Sequence, residues 1–232
     1  MYLHGGIYME KQFLTIQKIE EVTHNVLRFS LNHPDEVDFT PGQAAELDID
    51  KDGWRHEGHP FTFTSLPDED YLEFTIKIYP DHEGVTDQLS KLEVGDRLIL
   101  RDIFGAIHYE GEGTFIAGGA GVTPFISILR DLHRKGELEG NKLIFANSKE
   151  KDIINKEEFE TILGDDFRNI LSQEETEEHD HGRIDTEYIK DNLTSEDDYA
   201  YLCGPPPMMD AVKESLEELG IKDEKIIKED FA

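Results

Sequence analysis

The spacing of apolar residues changes character near residue 108, and that change dictates a two-part fold. Before it, apolar and polar residues alternate. The run Tyr71-Leu72-Glu73-Phe74-Thr75-Ile76-Lys77-Ile78-Tyr79 does so almost without fault, and shorter runs follow suit at 13–19, 26–31 and 97–103. A period of two buries one face of an extended strand and leaves the other in water. Pro34-Asp35, Pro41-Gly42, Asp52-Gly53 and Pro67-Asp68 supply the turns between runs. Short, evenly punctuated strands predict an antiparallel β-barrel over residues 1–108. Val85, Leu89 and Leu92, spaced i, i+4, i+7, predict one helical insert ahead of Gly95-Asp96.

From 109 to 232 strands alternate with helices. Thr114-Phe115-Ile116-Ala117 reads as a strand running into Gly118-Gly119-Ala120-Gly121-Val122-Thr123-Pro124, after which Phe125, Ile128, Leu129 and Leu132 mark a helix face. Residues 142–146 form the next strand, and Asn155-Lys156-Glu157-Glu158 opens a helix as a capping-box variant. Residues 167–171, a helix around 188–193 and a strand at 199–203 continue the alternation. The last helix carries Met209, Val212, Leu216 and Leu219 on one face and stops at Gly220. Buried strands separated by helices predict a parallel α/β sheet. Residues 173–182 are acidic and aperiodic and read as an exposed loop. The domain boundary is expected between Ile107 and Gly113, giving domains 1–108 and 109–232.

Composition narrows the function. The net charge is −29, with 21 acidic against 9 basic residues in 1–108 and 31 against 14 in 109–232, an acid coat over the whole chain and not one tail. Such a surface repels nucleic acid and anionic lipid, so neither is an expected partner. Solubility in a high-salt cytoplasm is the favoured explanation, with a basic partner as the alternative. The single Cys203 excludes an intrachain disulfide, a Cys-x-x-Cys pair and a four-Cys iron–sulfur cluster. Nowhere do 18 apolar residues run together, and Met1-Tyr2-Leu3-His4-Gly5-Gly6 lacks the features of a secretory signal. A cytoplasmic monomer with no membrane span is the expectation.

Five motifs can carry chemistry. The glycine-rich turn from Gly118 to Pro124 follows a strand and opens a helix, so its N–H groups and the helix N-terminus can hold an anion such as a pyrophosphate. Thr123 is expected as the N-cap and Pro124 at the first helical position. Pro124 stands where Gly-x-Gly-x-x-Gly needs its third glycine, and no acid closes the next strand, which ends Asn147-Ser148-Lys149. An ordinary Rossmann fingerprint is therefore disfavoured, and a ligand-free tight turn explains the motif equally well. In His59-Pro60-Phe61-Thr62-Phe63-Thr64-Ser65, Phe61 can stack a flat heterocycle while Thr62 bonds its edge; a plain Phe/Thr strand is the blander reading. Gly84-Val85-Thr86 is a phosphate cradle or a helix cap. Cys203-Gly204-Pro205-Pro206 ends a strand where open α/β sheets bind ligands, although a lone Cys is usually a small buried hydrophobe. Glu229-Asp230-Phe231 is a site element or a frayed tail.

In this order, over roughly residues 12–232, the motifs resemble the ferredoxin–NADP reductase superfamily, specifically its short bacterial ferredoxin/flavodoxin-reductase-like flavoenzymes. His59-Pro60-Phe61-Thr62 occupies the family's flavin motif Arg-x-Tyr-Ser/Thr, and Phe39-Thr40-Pro41-Gly42-Gln43 looks like its Phe-x-Pro-Gly-Gln. Gly84-Val85-Thr86 matches its Gly-x-Ser/Thr at the flavin phosphates, and Gly95-Asp96 with Phe104-Gly105 matches the closing strand of the barrel. The turn from Gly118 to Pro124 matches its nicotinamide-nucleotide loop. Cys203-Gly204-Pro205-Pro206 matches its Cys-Gly-Pro-Pro, and Glu229 with Phe231 its Glu-x-aromatic beside the flavin.

The resemblance implies FAD as the bound cofactor, NADPH or NADH as hydride donor, and a ferredoxin, flavodoxin or small molecule as electron acceptor. It assigns Thr62, Cys203 and Glu229 to catalysis. Thr62 would bond flavin N5, Cys203 would press on the nicotinamide, and Glu229 would assist proton traffic. Flavin contacts fall to His59, Pro60, Phe61, Thr62, Ile76, Lys77, Gly84, Val85, Thr86, Thr123 and Phe231. Nucleotide contacts fall to Gly118, Gly119, Gly121, Thr123, Pro124, Ser148, Lys149, Cys203, Gly204, Pro205, Pro206 and Met208. No metal is expected.

Two positions depart from the family. Its Arg, a permanent cation, is His59 here, and its Tyr is Phe61, which stacks without a hydroxyl. Both changes predict looser flavin retention; Arg55, His56 and Arg97 are candidates for the missing charge. A reductase of free flavin is therefore a live alternative, and a non-catalytic flavin-binding electron-transfer subunit is a second. Ser148, Lys149 and Arg183 lean towards NADPH, with Glu150 close by as an opposing charge.

Overall fold

The computed structural model describes residues 11–80, 83–195 and 197–229. The opening residues on which the signal-peptide reading rests, and Phe231, lie outside the described residues. Six antiparallel strands, β1 (Gln12–Thr23), β2 (Val26–Asn32), β3 (Ala44–Ile49), β4 (His59–Thr62), β5 (Tyr71–Lys77) and β6 (Arg97–Phe104), are ordered β4-β3-β6-β1-β2-β5. Just past β4, Phe63 bridges Phe74 of β5, and the Thr64 N–H donates to the Glu73 carbonyl at 2.8 Å. The two edge strands thus meet and the sheet closes into a barrel, which leaves no long edge to template aggregation. Phe63 stacks on Phe39 at 4.0 Å between centroids and tilts against Phe74 at 4.8 Å, filling the interior with Leu14, Phe29 and Leu31. Strand β3 escapes the alternation test because Asp48 is buried, its carboxylate paired with the Arg101 guanidinium of β6. The helical insert is the short α1 (Val85–Leu89), with Leu92 beyond its end.

Six parallel strands form the second half: β7 (Gly113–Gly118), β8 (Lys142–Asn147), β9 (Phe167–Leu171), β10 (Asp180–His181), β11 (Tyr199–Cys203) and β12 (Ile226–Lys228), ordered β10-β9-β8-β7-β11-β12. Helices α2 (Thr123–Lys135) and α3 (Lys156–Leu163) cover one face; α4 (Thr186–Asn192) and α5 (Pro206–Glu218) cover the other. Side chains of β7 alternate accordingly, Phe115 and Ala117 facing the first pair and Ile116 the second. The chain leaves β7 towards β8 and later returns to its other side as β11. That reversal opens a crevice at the carboxyl ends of β7 and β11, the position where such sheets bind ligands.

Local expectations need correction. Thr123 is not an N-cap: a 3-10 turn over Gly119–Val122 runs straight into α2, Val122 takes the cap position, and the Thr123 hydroxyl donates back to the Ala120 carbonyl at 3.0 Å. Pro124 is consequently the second residue of α2, not the first. Asn155 does not cap α3 through its side chain; with φ +55 it turns that amide to Glu158 Oε2 at 2.8 Å. Residues 173–182 are not wholly an exposed loop, because Asp180–His181 pairs with β9 and the His179 side chain is 6% exposed.

The two halves interlock. Gly42, at φ +100, lies so close to the linker that a Cβ there would stand 2.4 Å from the Ile107 carbonyl oxygen. Its N–H donates to Ser127 Oγ of α2 at 3.1 Å. Arg130 of α2 reaches Glu73 Oε1 at 2.8 Å and the Thr64 carbonyl at 2.6 Å, while holding Glu158 of α3 at 2.5 Å. Arg28 of β2 donates to Asn155 Oδ1 at 2.7 Å.

Candidate functional site

Two adjoining cavities open where the barrel faces the carboxyl ends of β7 and β11, and Lys77, Gly118 and Pro205 line both. The first, about 460 Å³, is walled by Phe61 and Thr62 of β4, Lys77 of β5, Thr123 of α2, Cys203 and Glu229. The second, about 450 Å³, runs along the sheet past Asn147, Ser148, Asp152, Arg183 and Met208. Both volumes fall within the range of small-molecule sites.

Glycines shape the shared wall. A Cβ on Gly121 would stand 2.3 Å from the Cys203 carbonyl oxygen, and one on Gly118 would stand 2.4 Å from Met208 Sδ. The two loops can close on each other only without side chains, and the cavity surface between them is backbone. Ala120 and Gly121 of the 3-10 turn and Thr123 at the start of α2 line that surface, where a helix N-terminus favours an anion. Beside it, Lys77 Nζ lies 3.9 Å from the position a Gly119 Cβ would take, so one ammonium serves both cavities.

Burial sets the charge states. Cys203 is 7% exposed; burial first, and the Glu229 carboxylate second, push its thiol up to about 12. It is therefore a neutral, polarisable surface and not a nucleophile. Glu229 is half-buried, and desolvation raises its carboxyl above the ordinary range, partly offset by the Ala106 N–H, which donates to Oε1 at 3.2 Å. Gly105 makes room for it: at φ +139, a Cβ there would stand 2.9 Å from that oxygen.

Of the residues singled out by sequence, Pro60, Phe61, Thr62, Ile76, Lys77, Thr86, Gly118, Gly121, Thr123, Cys203, Gly204, Pro205, Pro206 and Glu229 line the first cavity. Gly119, Ser148 and Met208 line the second. Gly84 and Val85 lead into α1 behind Thr86, whose hydroxyl accepts the Tyr79 N–H at 3.3 Å. Pro124 is buried in α2. His59 stands exposed on β4, its Nδ1 2.9 Å from the Glu57 carbonyl, and lines neither cavity. Arg55 and Arg97 do not supply the missing cation: both are held by Asp50, at 2.7 and 2.5 Å. His56 stands beside Arg101, away from both cavities. Lys149 is exposed and outside the lining of the second cavity, whereas Arg183 belongs to it. Sequence reasoning missed Thr75, Tyr79, Asn147 and Asp152. Thr75 sits on β5 and Tyr79 two residues past its end, both within the run already read as β.

The site fits a dinucleotide beside a flat ring system. Asn147 Nδ2, in the wall of the second cavity, is a buried donor with no hydrogen-bond partner among the described residues, a group that a ligand acceptor would satisfy. The side-chain-free cradle at Gly118, Gly121 and Gly204 exposes backbone where a diphosphate needs N–H groups.

Known proteins share this arrangement. A family model described as an FAD-binding domain matches residues 11–98, and one described as an oxidoreductase NAD-binding domain matches 115–214. NADH-cytochrome b5 reductase 1 of Aspergillus oryzae is 30% identical over 233 aligned positions, covering 91% of this chain and 80% of that protein. The anthranilate 1,2-dioxygenase electron transfer component of Acinetobacter baylyi is 28% identical over 226 positions, and this chain, matched over 93% of its length, spans 65% of that protein. Among solved structures, a ferredoxin NADP+ reductase from Neisseria gonorrhoeae with bound FAD and NADP superposes with a TM-score of 0.83 at 19% identity, covering 95% of this chain and 98% of that one. With fold, cavities and family models in agreement, the chain belongs to the ferredoxin–NADP reductase superfamily and is an NAD(P)H-dependent flavin oxidoreductase.

Proposed function

We propose that residues 1–108 hold FAD in the first cavity, that residues 109–232 hold the nicotinamide nucleotide in the second, and that electrons leave to a small redox protein such as a ferredoxin or flavodoxin. One observation carries this reading: Thr62, Cys203 and Glu229, from three separate segments, line a single cavity. When bound, the nicotinamide supplies a hydride and the flavin supplies the passage from two-electron to one-electron chemistry.

The residues position and protect. Phe61 offers a stacking face, and the Thr62 hydroxyl donates to the ring edge. Lys77 balances phosphate charge on both sides of the shared wall. The protonated Cys203 thiol packs against the incoming ring without competing for it as a nucleophile. Glu229, raised towards neutrality by burial, holds or releases a proton at its carboxyl oxygen. The donor reading is NADH. Asp152 lines the second cavity, its Oδ2 accepting the Lys149 N–H at 3.0 Å, and a negative charge there suits ribose hydroxyls and repels a 2′-phosphate. The lean towards NADPH rested on Ser148, Lys149 and Arg183; Ser148 and Arg183 line the cavity, Lys149 does not, and the Asp152 charge among them turns the reading to NADH. A single unpaired thiol suits a reducing cytoplasm, and among the described residues no helix is long and apolar enough to cross a membrane.

The test is a visible spectrum of the purified protein followed by anaerobic titration with NADH and NADPH. A flavin spectrum bleached by one equivalent of NADH is expected; a bound flavin that neither nucleotide bleaches overturns the reading. A reductase of free flavin is the second reading, supported by the absence of a guanidinium from the described lining of the first cavity. Colourless protein that oxidises NADH only when flavin is added would select it.

A further inference from the structure

Behind the second cavity lies a cluster that the oxidoreductase chemistry does not use. Glu150, in the 3-10 turn Glu150–Asp152, and Glu178 and His179, in the segment leading to β10, bring one ligand atom each within 4.8 Å of one another. The His179 side chain is 6% exposed, and among the described residues its buried Nε2 has no hydrogen-bond partner. That nitrogen lies 3.7 Å from Glu150 Oε1, beyond hydrogen-bond length and aimed into the cluster. A buried imidazole nitrogen left unserved is uncommon, because its desolvation is uncompensated.

A cation already occupies part of the cluster. Lys156 Nζ, from the first turn of α3, stands 2.6 Å from Glu150 Oε1 and 3.4 Å from Glu178 Oε2. The ammonium answers the carboxylates, and no hydrogen bond from it reaches the imidazole nitrogen. A metal ion answers all three. One neutral imidazole and two carboxylates suit zinc and its neighbours, whose bonds to nitrogen and oxygen are about 2.0–2.2 Å. Two atoms at that length from one ion stand at most about 4.4 Å apart, so the cluster must contract slightly. Glu178, whose side chain is 74% exposed, is free to make that movement. Magnesium and calcium prefer all-oxygen shells and gain little from the imidazole.

We propose that Glu150, Glu178 and His179 form a binding site for one divalent cation of the zinc type, which displaces the Lys156 ammonium. Such an ion ties the 150–152 turn to the 178–181 segment. Asp152 from the turn, and Gly182 and Arg183 just beyond the segment, line the nucleotide cavity, so the ion fixes two of its walls from behind.

The test is calorimetric titration of the purified protein, stripped with chelator and dialysed, with zinc chloride and separately with magnesium chloride. One zinc per chain is expected, held at least a hundredfold more tightly than magnesium. His179→Gln and Glu178→Gln should each weaken zinc at least tenfold, and Lys156→Gln should tighten it severalfold by removing the competitor. Far-ultraviolet circular dichroism checks each fold, and Glu178→Gln carries the test alone if the buried His179 variant fails to fold. No zinc bound by the parent, zinc no tighter than magnesium, zinc binding unmoved in folded His179→Gln or Glu178→Gln, or Lys156→Gln no tighter than the parent would each overturn the proposal.

Discussion

Arg130 of α2 crosses from the nucleotide-binding half to Glu73 of the barrel, Nη1 to Oε1 at 2.8 Å, with only 20% and 7% of the two side chains exposed. Burial and the second carboxylate, Glu158, make this unlike a surface pair; neighbouring charges hold the guanidinium firmly ionised, above its ordinary range. Removing Arg130 leaves the Glu73 carboxylate, away from water, with the longer contact to Arg28 Nε at 3.6 Å as its balancing charge. Arg130→Met should therefore cost about 3 kcal/mol, read as a shifted urea midpoint. A loss below about 1 kcal/mol would class it with solvent-exposed pairs.

Phe61→Ala should weaken FAD by about 1–3 kcal/mol, roughly 5- to 150-fold in Kd, because it deletes the stacking face. His59→Arg should tighten FAD by placing a fixed cation on β4, where Arg55 and Arg97 are committed to Asp50. Fluorescence on flavin release measures both, and an arginine variant that lets flavin go faster than the parent would refute the role given to that position.

Alkaline stability should report on Cys203. The folded thiol titrates near 12, the unfolded one near 9.0. Below the unfolded value both states keep the proton and the full stabilisation is present. Between the two values only the unfolded state loses its proton, so stability falls as pH rises, by about 1.4 kcal/mol per unit. Chemical denaturation from neutral to alkaline pH should show the parent declining more steeply than Cys203→Ala; parallel curves would mean the thiol ionises freely in the fold.

Asp152→Asn should raise kcat/KM for NADPH by at least tenfold relative to NADH, since it removes the carboxylate that opposes a 2′-phosphate. Steady-state kinetics with both donors decide this. An unchanged ratio, or a parent that already prefers NADPH, would withdraw the NADH reading.

Reduction of an acidic protein acceptor should accelerate with salt. At −29 the protein repels such a partner in dilute buffer. The screening length falls from about 10 Å at ~0.1 M salt to about 3 Å at ~1 M, leaving short-range packing to govern encounter. A small neutral acceptor should respond far less. A steep fall with salt, fold intact, would reveal a basic docking patch and weaken the high-salt explanation of the acid coat.

Much of this was legible in sequence because the relevant signals are local. The period-two run from Tyr71 to Tyr79 and the glycines at 118, 119 and 121 announce a strand and a side-chain-free turn wherever they occur. What stayed hidden depends on distant partners. Strand β3 is masked by Asp48, whose burial makes sense only once Arg101 is opposite. The short β12 has three residues and no periodicity to read. Asp152 lines the second cavity together with Ser148, and nothing in the local sequence marks it as a cavity residue. Thr123 has the composition of an N-cap, but Gly119 and Gly121 let a 3-10 turn precede the helix and take its place.

The seam at Gly42 bears on how such proteins can be recombined. The FAD-binding and NAD-binding matches end at 98 and resume at 115, which invites exchange of one half for another. Yet the turn at Gly42 lies against the Ile107 carbonyl and the Ile128 Cδ1, and its N–H is spoken for by Ser127. A chimera cut in the linker inherits a donor without its acceptor, a Cβ where none fits, and Glu73 without Arg130. The halves are modular as text and singular as an object: a transplant carries its angle only if the 39–43 turn, Glu73 and the 123–130 stretch of α2 travel together.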